Sequence, residues 1–122
     1  MTPLEAWPLP NRGEIWPVDW SPGRGSEQIG VRPALIVQND YGNHSPNYPN
    51  TIVVTVSSQG RDIPFHVFIR QSKTNGLDMD SYVKCEQILT ISKARLIGKP
   101  LGRLADGEMV QVAEALRRSL AI

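Results

Sequence analysis

The sequence predicts one mostly-β domain of the α+β class, a small and strongly bent antiparallel sheet with a single C-terminal helix. Three observations carry this. Short β-branched and apolar runs alternate with clusters of Gly, Pro, Asn and Asp, the punctuation of strands and turns. Helical periodicity of apolar residues is confined to the C-terminal end. A chain of 122 residues with 40% hydrophobic content is enough for one compact domain and not for two domains each with a core of useful size. The net charge of +1 exerts no global pull on nucleic acid, so any such binding must rest on a local patch.

Residues 1–11 contain Pro3, Pro8 and Pro10, with no basic start and no apolar run long enough for a signal peptide or a membrane span. They are expected to form an extended arm ahead of a single domain at residues 12–122. Glu14 to Trp20 alternates as a strand does, although Pro17 has no N–H for a ladder, which predicts an irregular edge. Trp16 and Trp20 share a face of that strand and are expected to pack in the core rather than stack on bases. Ser21 to Gly30 holds Pro22, Gly23, Gly25 and Gly30 and reads as a long surface loop, the kind that often carries function.

Arg32 to Gln38 contains the continuous apolar run Ala34 to Val37, the mark of a central strand buried on both faces. Asn39 to Asn50 reads as a loop and Thr51 to Val56 as a β-branched strand. A loop at Gln59 to Ile63 leads into a strand at Phe65 to Ile69, and Asn75-Gly76 marks a turn before the strand Tyr82 to Ile91. Cys85 lies in that last strand as a small buried side chain; a lone cysteine forms no internal disulfide and suits a reducing cytoplasm. The helix is expected from Asp106, as its N-cap, to about Leu120, with Met109, Val112, Ala113, Leu116 and Leu120 on the face toward the sheet. Arg117 and Arg118 fall in its last turn, where positive charge complements the carbonyl end of the helix dipole.

The candidate chemistry lies in three segments: Gly25-Ser26-Glu27-Gln28, Arg32 at the start of the central strand, and Ser57-Ser58-Gln59 at the end of the β-branched run. A guanidinium is a planar fork that grips phosphate oxygens in pairs, and a hydroxyl beside it can donate to a third oxygen. Neighbouring strand residues point to opposite faces, so only one of Ser57 and Ser58 can share a site with Arg32. On the residues alone, Arg32 could equally be a strand-start arginine paired to Glu27 or Asp40. Gln59 and Gln87 carry amides able to read base edges of splayed single-stranded RNA, or simply to satisfy strand-end backbone groups. A rival scheme pairs His44 and His66 as acid and base. Asp78, Asp80 and Glu86 are separated by turns and have no metal-cage spacing, so no metal and no cofactor are expected.

Taken in order, Arg12-Gly13-Glu14-Ile15-Trp16, Ser21-Pro22, Gly25-Ser26-Glu27-Gln28, Arg32-Pro33-Ala34-Leu35-Ile36 and Gln38-Asn39-Asp40 resemble the MazF/PemK toxins. Thr51 to Gln59 resembles that family's strand ending in a hydroxyl-bearing residue and a glutamine. Gly76-Leu77-Asp78 with Asp80-Ser81 matches its later turn, and Glu86-Gln87-Ile88 with Thr90-Ile91 its following strand, so the resemblance covers residues 12 to 120. It implies an SH3-like barrel and a cytoplasmic, sequence-specific, metal-independent endoribonuclease, the toxin of a type II toxin–antitoxin pair that halts translation and growth. It further implies a homodimer, a single-stranded RNA substrate, and a cognate MazE-like antitoxin, acidic and partly disordered, that folds over the RNA groove. DNA is expected to meet the protein only through the antitoxin complex. The family's catalytic arginine maps onto Arg32 and its catalytic threonine onto Ser57. Serine keeps threonine's donor and acceptor but lacks the methyl that stiffens χ1. In the family the loop holding Gly25, Ser26, Glu27 and Gln28 borders the RNA groove, which makes these four RNA-binding candidates.

The expected chemistry needs no enzyme nucleophile, because RNA carries a 2′-OH beside each phosphate. Its attack expels the 5′-oxygen and builds negative charge that fixed donors stabilise. Arg32 is assigned to that charge and Ser57 to orienting the phosphate and the 2′-OH, with a 2′,3′-cyclic phosphate and a 5′-OH as products. Two alternatives remain at this stage: a CcdB-type toxin, which shares the fold and poisons DNA gyrase without cutting, and a catalytically dead antitoxin-binding barrel.

Overall fold

Leu35 and Val37 enter one apolar core, while Ala34 and Ile36 between them enter another. The continuous apolar run at this point therefore reflects a sheet covered on both faces, as its composition predicted. The computed structural model describes residues 6–21 and 30–122. Its elements in chain order are β1 (Glu14–Asp19), β2 (Val31–Ile36), α1 (Asp40–His44), β3 (Asn50–Ser57), β4 (His66–Ile69), β5 (Ser81–Ser92), a 3₁₀ turn at Lys93–Arg95, β6 (Gly102–Arg103) and α2 (Asp106–Leu120). The strands form one antiparallel sheet in the order β4-β5-β3-β2-β1-β6, curled into a half-barrel. The larger core joins Ile15, Val54, Val56, Val67 and Val83 to Val112 and Ala115 of α2; the smaller holds Trp16, Val18, Val53, Ile91 and Leu96, with Trp20 packed against it. Both tryptophans thus pack as expected.

The curl has a local cause in β5. Its pairing with β3 jumps from Val54↔Ile88 to Thr55↔Lys84, which leaves Cys85, Glu86 and Gln87 as surplus residues on one step of β3. Such an irregularity bends the strand and sharpens its twist. Residues before the bend also pair with β4, from His66↔Lys84 to Ile69↔Ser81. The prolines of β1 and β2 lie opposite each other, Pro17↔Pro33. The Pro17 carbonyl turns away from β2 to accept from the Ile97 N–H at 3.0 Å, so the pair is a non-hydrogen-bonded one that requires no N–H from either ring. Pro17 is therefore not at an irregular edge, as its sequence suggested, but inside a strand flanked by β2 and β6.

Other expectations are corrected in detail. Asn39 to Asn50 is not all loop: the Asn39 side chain accepts from the Gly42 N–H at 2.9 Å and caps the short helix α1. The N-cap of α2 is Ala105, not Asp106, and its N–H is taken up by Glu108 Oε1 at 2.9 Å. Leu120, expected on the buried face, is 53% exposed, and Ala115 is buried in its stead. The central strand stops at Ile36, because the N–H groups of both Val37 and Gln38 converge on the Ile52 carbonyl at 2.9 and 3.2 Å.

Candidate active site

The β2–β3 ladder runs Ile36↔Val53, Leu35↔Val54, Ala34↔Thr55 and stops there. Pro33, the next residue of β2, has no N–H with which to extend it. Carried two residues further along each strand, the same register sets Arg32 across from Ser57, on the face that carries Ala34 and Thr55. Both residues therefore stand at an unladdered mouth between two central strands. Arg32 is exposed and Ser57 half-buried. Parity separates the two serines: Ser58 points to the opposite face, where it lines a shallow pocket with Pro33, Leu77 and Leu101.

The Ser57 hydroxyl is held in place. Its Oγ accepts from the Gln59 N–H at 3.0 Å, a local turn that selects the rotamer and leaves the hydroxyl proton for an incoming oxygen. The threonine methyl absent here is thus replaced by a backbone hydrogen bond as the orienting device. Behind Arg32, the Trp20 indole N–H reaches the Arg32 carbonyl at 3.3 Å, and the Trp20 N–H bonds the Gly30 carbonyl at 2.9 Å. These contacts tie the end of β1 to the start of β2, and so position the backbone from which the guanidinium projects.

The register adds residues to this face that the sequence reading missed. Tyr82 lies opposite Ser57, and Lys84 opposite Thr55. Tyr82 meets the ring of Phe68 edge-on, with centroids 5.5 Å apart. Lys84 adds a cation to this face, across Thr55 from β2. The signal for them was the alternation Tyr82, Val83, Lys84, Cys85, but which face of β5 meets Ser57 depends on the register across the sheet. Gln87 sits at the bend of β5 and receives a hydrogen bond from Thr55 Oγ1, so it joins the same face. Gln59 is exposed just beyond Ser57. Gly25, Ser26, Glu27 and Gln28 lie outside the described residues.

The histidines and Asp40 have structural partners of their own. His66 accepts from the Arg61 N–H at 3.0 Å through Nδ1 and meets Glu86 at 3.1 Å through Nε2, which anchors the loop before β4. His44 is bound to Asn11 at 2.6 Å, next to α1. The two imidazoles stand on different elements with separate partners and do not form an acid–base pair. Asp40, one candidate partner for Arg32, instead takes the Arg12 N–H at 2.7 Å and the Asn43 amide at 3.1 Å. Partial burial opposes its charge, but these bonds and the neighbouring His44 and Arg12 charges hold its carboxyl below the usual range. Cys85 is buried, and burial first, then the Glu86 charge, pushes its thiol up to about 12, an inert core group. Among the described residues no cluster of three His, Cys, Asp or Glu side chains could hold a metal ion, and no helix is long and apolar enough to cross a membrane.

Comparison with known proteins gives a consistent result. Residues 11–120 match the model of the PemK-like, MazF-like toxin of type II toxin–antitoxin systems. The chain is 43% identical to endoribonuclease EndoA of Bacillus subtilis over 111 residues, covering 91% of this chain and 94% of that protein. It is equally 43% identical to endoribonuclease MazF of Staphylococcus epidermidis over 114 residues, covering 91% of each. Among solved structures, an endoribonuclease in complex with its cognate antitoxin from a Mycobacterial species superimposes with a TM-score of 0.75 at 26% identity, over 93% of this chain and 96% of that one.

Proposed function

The chain belongs to the PemK-like, MazF-like toxin family of type II toxin–antitoxin systems, and from that premise we propose that it is a sequence-specific, metal-independent endoribonuclease acting on single-stranded RNA. Its relatives are endoribonucleases, and endoribonuclease activity is the function of this chain. The observation that supports the finer reading is the β2–β3 register, which when extended two residues sets Arg32 across from Ser57, whose hydroxyl oxygen is held by the Gln59 N–H.

Attack of the 2′-oxygen on the adjacent phosphorus forms one P–O bond and breaks the bond to the 5′-oxygen. The phosphoryl oxygens gain charge on the way. Arg32 donates to them in pairs. Ser57, with its oxygen already held by the Gln59 N–H, turns its proton to the same group and keeps the phosphate in line with the 2′-OH. Because the guanidinium supplies the positive charge and RNA the nucleophile, the reaction requires no divalent ion. DNA, which lacks the 2′-OH, is not cut. Glu27 and Gln28 of the 22–29 segment, with Gly25 and Ser26, flank the RNA, and Gln59 and Gln87 face its bases. A cognate antitoxin, acidic and disordered until bound, covers this face, and the active species is a homodimer.

The test is cleavage of a long single-stranded RNA in EDTA, beside the matching DNA, with product ends mapped. Site-limited cuts with 5′-OH ends, lost by at least about 100-fold in Arg32→Ala and Ser57→Ala, are the expected result. A 5′-phosphate product, or cleavage that EDTA abolishes, overturns the mechanism; absence of any cleavage by antitoxin-free protein favours the gyrase-type alternative. Light scattering is expected to return twice the 13.6 kDa chain mass.

A further inference from the structure

Thr55 stands two residues before Ser57 in β3 and so shares its face. It is 3% exposed, and its hydroxyl lies 2.5 Å from Oε1 of Gln87. That separation belongs to an O–H···O bond and is too short for an N–H···O one, so Thr55 donates and the Gln87 carbonyl accepts. The backbone explains the meeting. Thr55 pairs with Lys84 while its neighbour Val54 pairs with Ile88, so Gln87 is the surplus residue adjoining Ile88 at the bend, next to Thr55. Gln87 is itself exposed, and among the described residues its amide NH₂ donates to no protein acceptor. A free glutamine can turn its amide over and offer either a donor or an acceptor to a base. This one is held with its carbonyl toward Thr55 and its NH₂ outward.

We propose that Thr55 is a positioning residue that makes Gln87 a donor-only reader of one base beside the scissile phosphate, favouring a base with an exocyclic carbonyl over its amino-bearing counterpart. The proposal rests on the endoribonuclease reading and deepens it. Two residues along a strand is about 7 Å, so the Gln87 amide lies about that far from the level of Arg32 and Ser57, within reach of a base flanking the phosphate they hold. Uracil presents O4 where cytosine presents an amino group, and guanine presents O6 where adenine presents one. An outward NH₂ pairs with O4 or O6 and meets the amino group as donor against donor. The flip that would relieve this clash would let Thr55 Oγ1 accept from the NH₂ but would leave the hydroxyl proton of a residue only 3% exposed without an acceptor among the described residues, which disfavours it.

Cleavage of a randomised single-stranded RNA pool, with every 5′ end mapped, tests this in three proteins: the unmodified chain, Thr55→Val and Gln87→Glu. Valine keeps the shape of threonine and removes the donor. Glutamate can still accept from Thr55 but turns an acceptor outward. The unmodified protein is expected to favour uracil over cytosine, or guanine over adenine, by about tenfold at one position near the cut. Thr55→Val should reduce that preference to about twofold or less at that position alone, and Gln87→Glu, at an exposed site that does not threaten folding, should reverse it toward the amino-bearing base. Retention of the same preference in both variants, or no carbonyl-over-amino preference at any position of the unmodified protein, overturns the proposal while leaving the endoribonuclease reading intact. Failure of the unmodified protein to cut any RNA overturns that reading, and this proposal with it.

Discussion

Ser57 shows how a side chain without a β-methyl can still be ordered. The Gln59 N–H holds its oxygen at 3.0 Å, so the rotamer is set by the backbone instead of by a β-methyl. Ser57→Thr is accordingly expected to change the cleavage rate by no more than about threefold, which single-turnover kinetics would measure; a large gain would mean that the turn leaves the hydroxyl loose. Asp40 offers a second residue-level prediction. Its folded pKa lies below the ordinary 3.8, so between the two values the unfolded chain binds more protons and stability rises with pH. The stabilisation is fully present above 3.8 and is lost as pH falls through the lower, folded value. Denaturant titrations at a series of acidic pH values should show a shallower loss in Asp40→Asn than in the unmodified protein. Arg32 stood out as a candidate in the sequence because a strand-opening Arg-Pro followed by an apolar run is a local pattern. Tyr82 and Lys84 were not, because only the cross-sheet register shows which face of β5 they share with Ser57.

At the scale of elements, Lys93 joins two that lie far apart in sequence. It opens the 3₁₀ turn, is fully buried, and donates to the carbonyls of Gly42 and Ser45 at 2.8 and 3.0 Å at the end of α1. The ring of Tyr48 lies 5.8 Å from its ammonium. Burial lowers its pKa, yet the carbonyls and the ring keep the charge partnered. Lys93→Met fills the same space without a donor and removes two charge-assisted hydrogen bonds, leaving the Gly42 and Ser45 carbonyls only the Ser45 and Tyr48 N–H groups at 3.3 and 3.2 Å, for an expected loss of about 1.5–3 kcal/mol in urea unfolding. A second close meeting occurs at Gly76, which has φ +71 and where a Cβ would fall 2.1 Å from the Leu101 carbonyl oxygen. The Asn75-Gly76 turn was read from sequence for its backbone conformation; its contact with the residue before β6 was not, because β6 has only Gly102 and Arg103 and no apolar pattern of its own.

For the whole molecule, the net charge of +1 gives no basic surface overall, so on the proposed reading RNA affinity rests on a few local cations such as Arg32. The slope of log affinity against log salt for single-stranded RNA is therefore expected to be shallow, about −2 to −3, and to lose about 0.7 in Arg32→Ala. Fluorescence anisotropy with a non-cleavable analogue would measure it, and a steep slope unaffected by Arg32 would place the binding surface elsewhere. The mouth at Arg32 and Ser57 is where the sheet's pairing ends. Pro33 stops the β2–β3 ladder, and the surplus residues of β5 bend the sheet just above it, so the fold leaves polar groups accessible between strands that are otherwise buried on both faces.

The sequence by itself determined the elements and their chemistry: β-branched runs between turn residues, a helix with one apolar face, and an arginine and a serine at strand ends in an order shared with a toxin family. These are local properties, written in periods of two and 3.6 residues and in turn-forming residue types. Tertiary structure alone decided which residues meet. The opposition of Pro17 and Pro33, the placing of Ser57 and Ser58 on opposite faces, the arrival of Tyr82 opposite Ser57 and of Lys84 opposite Thr55, and the bond from Thr55 to Gln87 all follow from strand register and from the surplus in β5. Register is a long-range quantity: a one-residue slip sends every side chain of a strand to the other face, and only packing of the whole sheet against its two cores excludes that slip.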